Sequence, residues 1–240
     1  MRFMELAKRN LKVMYRDLLS LGLTILFPPA LLLILSPLAR FGGIWAPTML
    51  APGIVLFGFA MITMSSAVIL ARDRESALLS RLLTAPLRAN DFISAYSLPY
   101  IPVAIIQIVV IFAIGGWLGL EISGNAGLVF LVLFVMSLGF IGLGMILGAL
   151  FTYTQLSAIY APVILLVVFG GAWVPLEVMG GVFQSIMNAL PFAHALDAAR
   201  DIMVHGVGFS DIATDFYWVL GYTLVFSALG IFLFRRRMVE

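Results

Sequence analysis

The residues able to do chemistry in this chain are few and poorly grouped. Its 240 residues include two lysines, two histidines, twelve carboxylates and no cysteine. Hydrolysis of ATP needs a lysine on the phosphates, delivered by a glycine-rich loop. Lys8 and Lys12 are the only lysines, and no such loop accompanies them. The chain is therefore not expected to hydrolyse ATP. Without cysteine, thiolate metal sites, thiol nucleophiles and disulfides are all ruled out. His194 and His205 stand eleven apart with Asp197 and Asp201 between them. That spacing suits structural or solvated side chains better than zinc ligands. There is no local Ser–His–Asp signature. No catalytic residue, metal site or cofactor is expected in this chain.

The elements that must position these groups are apolar. Hydrophobic residues make up 62% of the chain and charged residues 11%, against about 25% charged in a soluble domain. A soluble fold of this size cannot bury such a surplus. Six stretches approach the roughly 20 apolar residues that a membrane span needs. They run over residues 19–38, 50–70, 98–118, 127–151, 157–174 and 216–234. All twelve acids fall in loops or at span ends, which argues against proton-coupled transport. Gln107 in the third span and Gln155 at the boundary of the fifth are the notable polar residues. Pro99, Pro102 and Pro162 mark expected kinks. Gly144 and Gly148 form a GxxxG pair in a glycine-rich fourth span. It suits close packing either within one chain or between two. The first apolar run lacks a small-residue cleavage site and is followed by five more, so it reads as mature protein.

Six crossings place both termini on one side. If that side is the cytoplasm, twelve Arg and Lys residues lie inside and two, Arg40 and Arg200, lie outside. The acids divide six and six. Arginine and lysine in short loops set orientation, so the bias favours cytoplasmic termini. The expected fold is an all-α membrane protein forming a single domain over 1–240.

Three non-spanning segments carry the rest of the information. Residues 1–18 place Phe3, Ala7, Leu11, Met14 and Leu18 three or four apart, with Glu5, Lys8, Lys12 and Arg16 on another face. This reads as an amphipathic helix on the membrane surface or as a basic anchor, and the two are compatible. Residues 71–91 form the longest inside loop. Leu78, Leu79, Leu82 and Leu83 share a helical face there, and Pro86 ends it. That helix suits docking to a soluble partner or lying at the interface. Residues 175–215 form the longest outside segment. Its short apolar run over 182–190 ends at Pro191 and reads as re-entrant or interfacial.

Two motifs resemble the ABC-2 type permeases, the membrane subunits of bacterial ATP-driven exporters. The first is RDRESALLSRLLTAPLRANDF, from Arg72 to Phe92, with Arg74 and Glu75, a leucine-rich helix, then Thr84 and Pro86. Where the family often has Gly-Thr, this chain has Ser76 and Ala77. The second runs from Val174 to Gly206, with Pro175, Pro191, Phe192 and Arg200 in the family's places and Gly180 where a proline is common. The resemblance implies a homodimer or heterodimer of permeases in lipid. It also implies separate ATP-binding cassette subunits that hold ATP and magnesium. The coupling helix would use Leu78, Leu79, Leu82, Leu83 and Pro86 as its docking face, with Arg74, Glu75 and Arg81 at the rim, where charge steers. Pro175, Pro191, Phe192 and Arg200 would form an outer gate. The implied function is export of a hydrophobic or amphipathic substrate (drug, lipid or lipid-linked glycan) across the bacterial inner membrane.

Two other readings stay open on the residues alone. An ATP-independent channel or facilitator needs no partner for the 71–91 loop. A lipid-modifying enzyme would use His194, Asp197 and His205, which lack a convergent partner set. Nothing points to nucleic acid.

Overall fold

The computed structural model describes residues 2–76 and 89–238. All regular structure among them is helical. Among the described residues, six helical stretches are long and apolar enough to cross a membrane, over residues 18–41, 47–75, 94–117, 126–150, 153–172 and 209–236.

Helix α1 (Arg2–Arg16) carries its buried residues Leu6, Ala7, Asn10 and Met14 on one face. It ends two residues before the expected limit. Asp17 leaves the helix and accepts the Ser20 N–H at 3.1 Å, which caps α2 (Leu18–Leu35). Leu18 thus belongs to the first span and is exposed. Two short 3₁₀ turns, Ser36–Phe41 and Gly43–Trp45, lead to α3 (Pro47–Glu75).

Helix α3 is the hub of the bundle. Its span is 72% buried, against 17% for the last one. An apolar helix without a polar face can be surrounded by neighbours or by lipid, and α3 is surrounded by neighbours. It packs against α2, α5 (Tyr100–Trp117), α6 (Ala126–Leu150) and α7 (Tyr153–Val167). Between α3 and α5 comes α4 (Ala89–Ser97), set off from α5 by Leu98 and Pro99. Pro162 lies inside α7, which continues to Val167.

Glycines in α6 settle how close its neighbours come. A methyl group on Gly144 would lie 1.9 Å from Ser66 Oγ of α3, and one on Gly148 would lie 2.7 Å from the Ala67 carbonyl. The GxxxG pair therefore packs within the chain. Gly139 and Gly142 face the other way, toward Thr223 and Ser227 of α11 (Phe209–Met238). Hydrogen bonds add to these contacts. Thr63 donates to the Phe140 carbonyl at 2.9 Å, and Thr223 donates to that of Val135 at 3.1 Å. Gln107 donates to the Thr24 carbonyl at 2.8 Å. Within an apolar solvent such bonds hold helices together where hydrophobicity cannot.

A π-helical turn, Val168–Ala172, ends α7 with Gly171 at φ +98°. Three short helices follow: α8 (Leu176–Met179), α9 (Gly181–Met187) and α10 (Pro191–Arg200). A second π-turn, Asp201–His205, leads to α11. Since α11 begins at Phe209, the final residues of the expected 175–215 segment belong to the last long helix.

Candidate functional site

The end of α3 carries four consecutive charges, Arg72 to Glu75. Each is engaged by a neighbouring helix. Asp73 is buried and accepts hydrogen bonds from both terminal nitrogens of Arg9, in a forked pair, and from the Tyr96 hydroxyl at 2.6 Å. Arg9 also donates to Asn10 Oδ1 at 2.9 Å, and Asn10 donates to the Ala95 carbonyl at 3.1 Å. These bonds clasp α1, α3 and α4. The Arg9 guanidinium is raised above its ordinary pKa, chiefly by its hydrogen bonds to Asp73. Arg74 donates to the carbonyls of Ala149 and Phe151 at the C-terminus of α6, the latter at 2.8 Å. A cation there satisfies orphan carbonyls and opposes the helix dipole. Glu75 accepts the Tyr153 N–H at 2.7 Å at the start of α7, where an anion is favoured. Arg72 lies over the Tyr153 ring at 4.4 Å and donates to its hydroxyl at 2.8 Å. Thr152 and Gln155 complete a capping box on α7.

The resemblance implies Arg74 and Glu75 at a rim facing a partner. Both have contacts inside the chain. The other expected coupling residues, Leu78, Leu79, Arg81, Leu82, Leu83 and Pro86, lie outside the described residues. An apolar run that ends at Leu70 hides Asp73, which lies on the continuation of α3. The signal was present: no glycine or proline interrupts residues 71–76, and Ser66, Leu70 and Asp73 recur at helical spacing.

At the opposite end, three of the four expected gate residues share α10. Pro191 opens the helix and is buried. Phe192 is buried, its ring 5.2 Å from that of Phe140. Arg200 is buried too; its Nε donates to the Met49 carbonyl at 3.1 Å and Nη2 to that of Ala172 at 3.2 Å. It thereby joins the start of α3 to the π-turn. Gly53 permits this approach, since a methyl group there would stand 1.7 Å from the Ala172 oxygen. Burial lowers the Arg200 pKa. Pro175 stands apart at the start of α8.

His194 Nδ1 lies 2.7 Å from Asp215 Oδ1, and its ring stacks on Trp218 at 5.0 Å. His205 and Asp201 are 4.0 Å apart. Asp197 is pushed up to about 6 by burial and by Glu177. Among the described residues, no three histidines or carboxylates converge as a metal site. His194 thus orients α10 against α11.

Comparison with known proteins places this architecture. Residues 1–204 match the family described as "ABC-2 type transporter". The chain is 33% identical over 193 residues to "ABC transporter G family member 20" of Dictyostelium discoideum, covering 76% of this chain and 26% of that one. It is 28% identical over 234 residues to "Inner membrane transport permease YhhJ" of Escherichia coli, covering 92% and 58%. It is 24% identical over 188 residues to "Probable multidrug ABC transporter permease YbhR" of the same organism, covering 75% and 51%. The chain thus spans between a quarter and about three fifths of the length of these relatives. With six apolar helices in place and most of its length matched, the chain belongs to the ABC-2 type transporter family.

Proposed function

We propose that the chain is the permease subunit of an ABC exporter. It moves a hydrophobic or amphipathic substrate outward, driven by ATP that a separate ATP-binding cassette subunit hydrolyses with magnesium. The observation that carries this reading is the quartet Arg72–Glu75 in a member of this family. It ties the root of the 71–91 loop to four other helices: α1 and α4 through Asp73, α6 through Arg74, and α7 through Arg72 and Glu75. A push on that loop is then shared by the whole basic end of the bundle rather than absorbed by a hinge.

In this mechanism a second permease completes the translocation path. Leu78, Leu79, Leu82 and Leu83 seat a coupling helix, ended by Pro86, in a groove of the ATPase, and Arg81 steers its approach. ATP-driven closure tilts α2, α3 and α7. The residues Pro191, Phe192 and Arg200 on α10, with Pro175 before α8, gate the far side. The 182–190 stretch is a re-entrant segment. The basic end faces the cytoplasm of a bacterial inner membrane, with α1 on its surface, following the charge bias. The relative named as a probable multidrug permease supports a drug-like substrate.

The test is reconstitution with the co-purifying ATP-binding subunit. Leu79→Asp with Leu82→Asp should abolish co-purification and substrate-stimulated ATPase while leaving the permease folded. Full stimulated activity in that variant refutes the docking assignment.

A further inference from the structure

A cavity of about 570 Å³ opens between α1, α2, α3 and α5 at the basic end of the bundle. Its volume is in the range of small-molecule sites, about 300–1,000 Å³. The clasp of Arg9 and Asp73 forms part of its wall, and those two groups already satisfy one another. The mouth holds two further charges of opposite sign. Arg72 is exposed, and no carboxylate lies within salt-bridge reach of it among the described residues. Asp17 is also exposed, and its Oδ1 caps α2. Tyr100 lines the cavity, and its hydroxyl is buried without a partner among the described residues. A buried hydroxyl left unpaired costs free energy unless something fills its place.

Beyond the mouth the lining turns mostly apolar, with Leu21, Met64 and Val103, and the Thr24 and Ser65 hydroxyls there pair with one another at 3.3 Å. Met64 lies eight residues back from Arg72 along α3, about 12 Å at 1.5 Å per residue. Charge at the end and apolar surface about 12 Å deep describe an amphiphile lying along a span. Two unlike charges at the mouth describe a head that carries both signs.

We propose that this cavity binds a zwitterionic phospholipid of the phosphoethanolamine type. Its phosphate rests on Arg72 and the Tyr100 hydroxyl, its ammonium faces Asp17, and one acyl chain lies among α2, α3 and α5. An anionic lipid meets the Asp17 carboxylate without compensation, and a cationic amphiphile meets Arg72. The site stands apart from the transport reading, because a chain that moved nothing would still hold this lipid.

The test is lipid retention by the purified full chain in detergent, read by native mass spectrometry. The probes are dioleoyl phosphatidylethanolamine, dioleoyl phosphatidylglycerol and soluble glycerophosphoethanolamine. The wild-type chain should retain the ethanolamine lipid over the glycerol lipid, and the soluble headgroup should not displace it. Arg72→Gln should lower retention about tenfold, the scale of one charge-assisted hydrogen bond, and Arg72→Lys should recover part of it. Asp17→Asn keeps a competent helix cap but removes the charge, so it should shift the preference toward phosphatidylglycerol. Tyr100→Phe should lower retention about threefold, as a neutral bond would. Equal retention of the ethanolamine lipid by wild type and Arg72→Gln overturns the proposal. So does an unchanged lipid preference in Asp17→Asn, or displacement by the soluble headgroup.

Discussion

Arg9 and Arg200 are both drawn into the bundle, at opposite ends, and the protein neutralises them differently. Arg9 meets a buried carboxylate, and its pKa rises because Asp73 holds the charged form. Among the described residues, Arg200 meets the carbonyls of Met49 and Ala172 and no carboxylate, and its pKa falls because burial outweighs the nearby Asp197 and Glu177. The first arrangement is an ion pair joining three helices. The second is a dipolar seat joining a helix start to a π-turn. An ion pair loses most when one partner goes, since the other is left charged in a poor solvent. A dipolar seat loses two hydrogen bonds and leaves behind carbonyls that are neutral.

The largest expected effect follows from that asymmetry. Asp73→Ala strands the Arg9 guanidinium and the Tyr96 hydroxyl together. It should cost about 3–4 kcal/mol, toward the low end for breaking a buried pair from one side, because the Arg9 side chain is partly exposed. Thermal unfolding in detergent measures it, and protease cleavage within α1 should rise in parallel. Adding Arg9→Met to Asp73→Ala should return a good part of the loss. If the double variant is no more stable than the single one, the clasp is not an electrostatic pair.

Arg200→Met should cost less, about 2–3 kcal/mol, from two lost charge-assisted bonds and two buried carbonyls left without this donor. Its loss should be nearly additive with that of Asp73→Ala, because the two sites share no partner. Strong non-additivity in thermal unfolding would mean that α3 transmits strain between its ends.

The spans were legible because lipid imposes one rule, about 20 apolar residues, that hydropathy reads directly. The clasp was not, although both its members were in view. Hydropathy ended the second span at Leu70, and a helix need not stop where its apolar run does. With α3 continued to Glu75, Asp73 falls on the same face as Ser66 and Leu70, against α1 and α4. The seat of Arg200 was hidden for a different reason. Its acceptors are main-chain oxygens 151 and 28 residues away, and a carbonyl leaves no mark in a sequence. Gly53 was the one local trace, and a lone glycine in a span has many explanations. The faces of α6 were ambiguous in the same way: spacing marks Gly144 and Gly148 as a pair but not which helix they meet.

The smallest effect tests why Arg200 forms no ion pair among the described residues even though Asp197 is one turn away on α10. Asp197 itself is pushed up to about 6 from the ordinary 3.8, first by burial, then by Glu177; Arg200 and His194 pull it down, while Asp215 adds to the rise. A carboxyl whose folded pKa is raised holds its proton more tightly in the folded state. Its charge therefore destabilises the fold, by an amount that is absent below about pH 4 and complete above about pH 6. Asp197→Asn removes that cost. The variant should match wild type at pH 4 and exceed it at pH 7 by about 1 kcal/mol, a two-unit shift discounted for partial exposure. Melting curves from pH 4 to 8 give the comparison directly. A wild-type advantage that grows with pH would mean that ionised Asp197 supports Arg200 more than burial opposes it, and the seat would then be an ion pair after all.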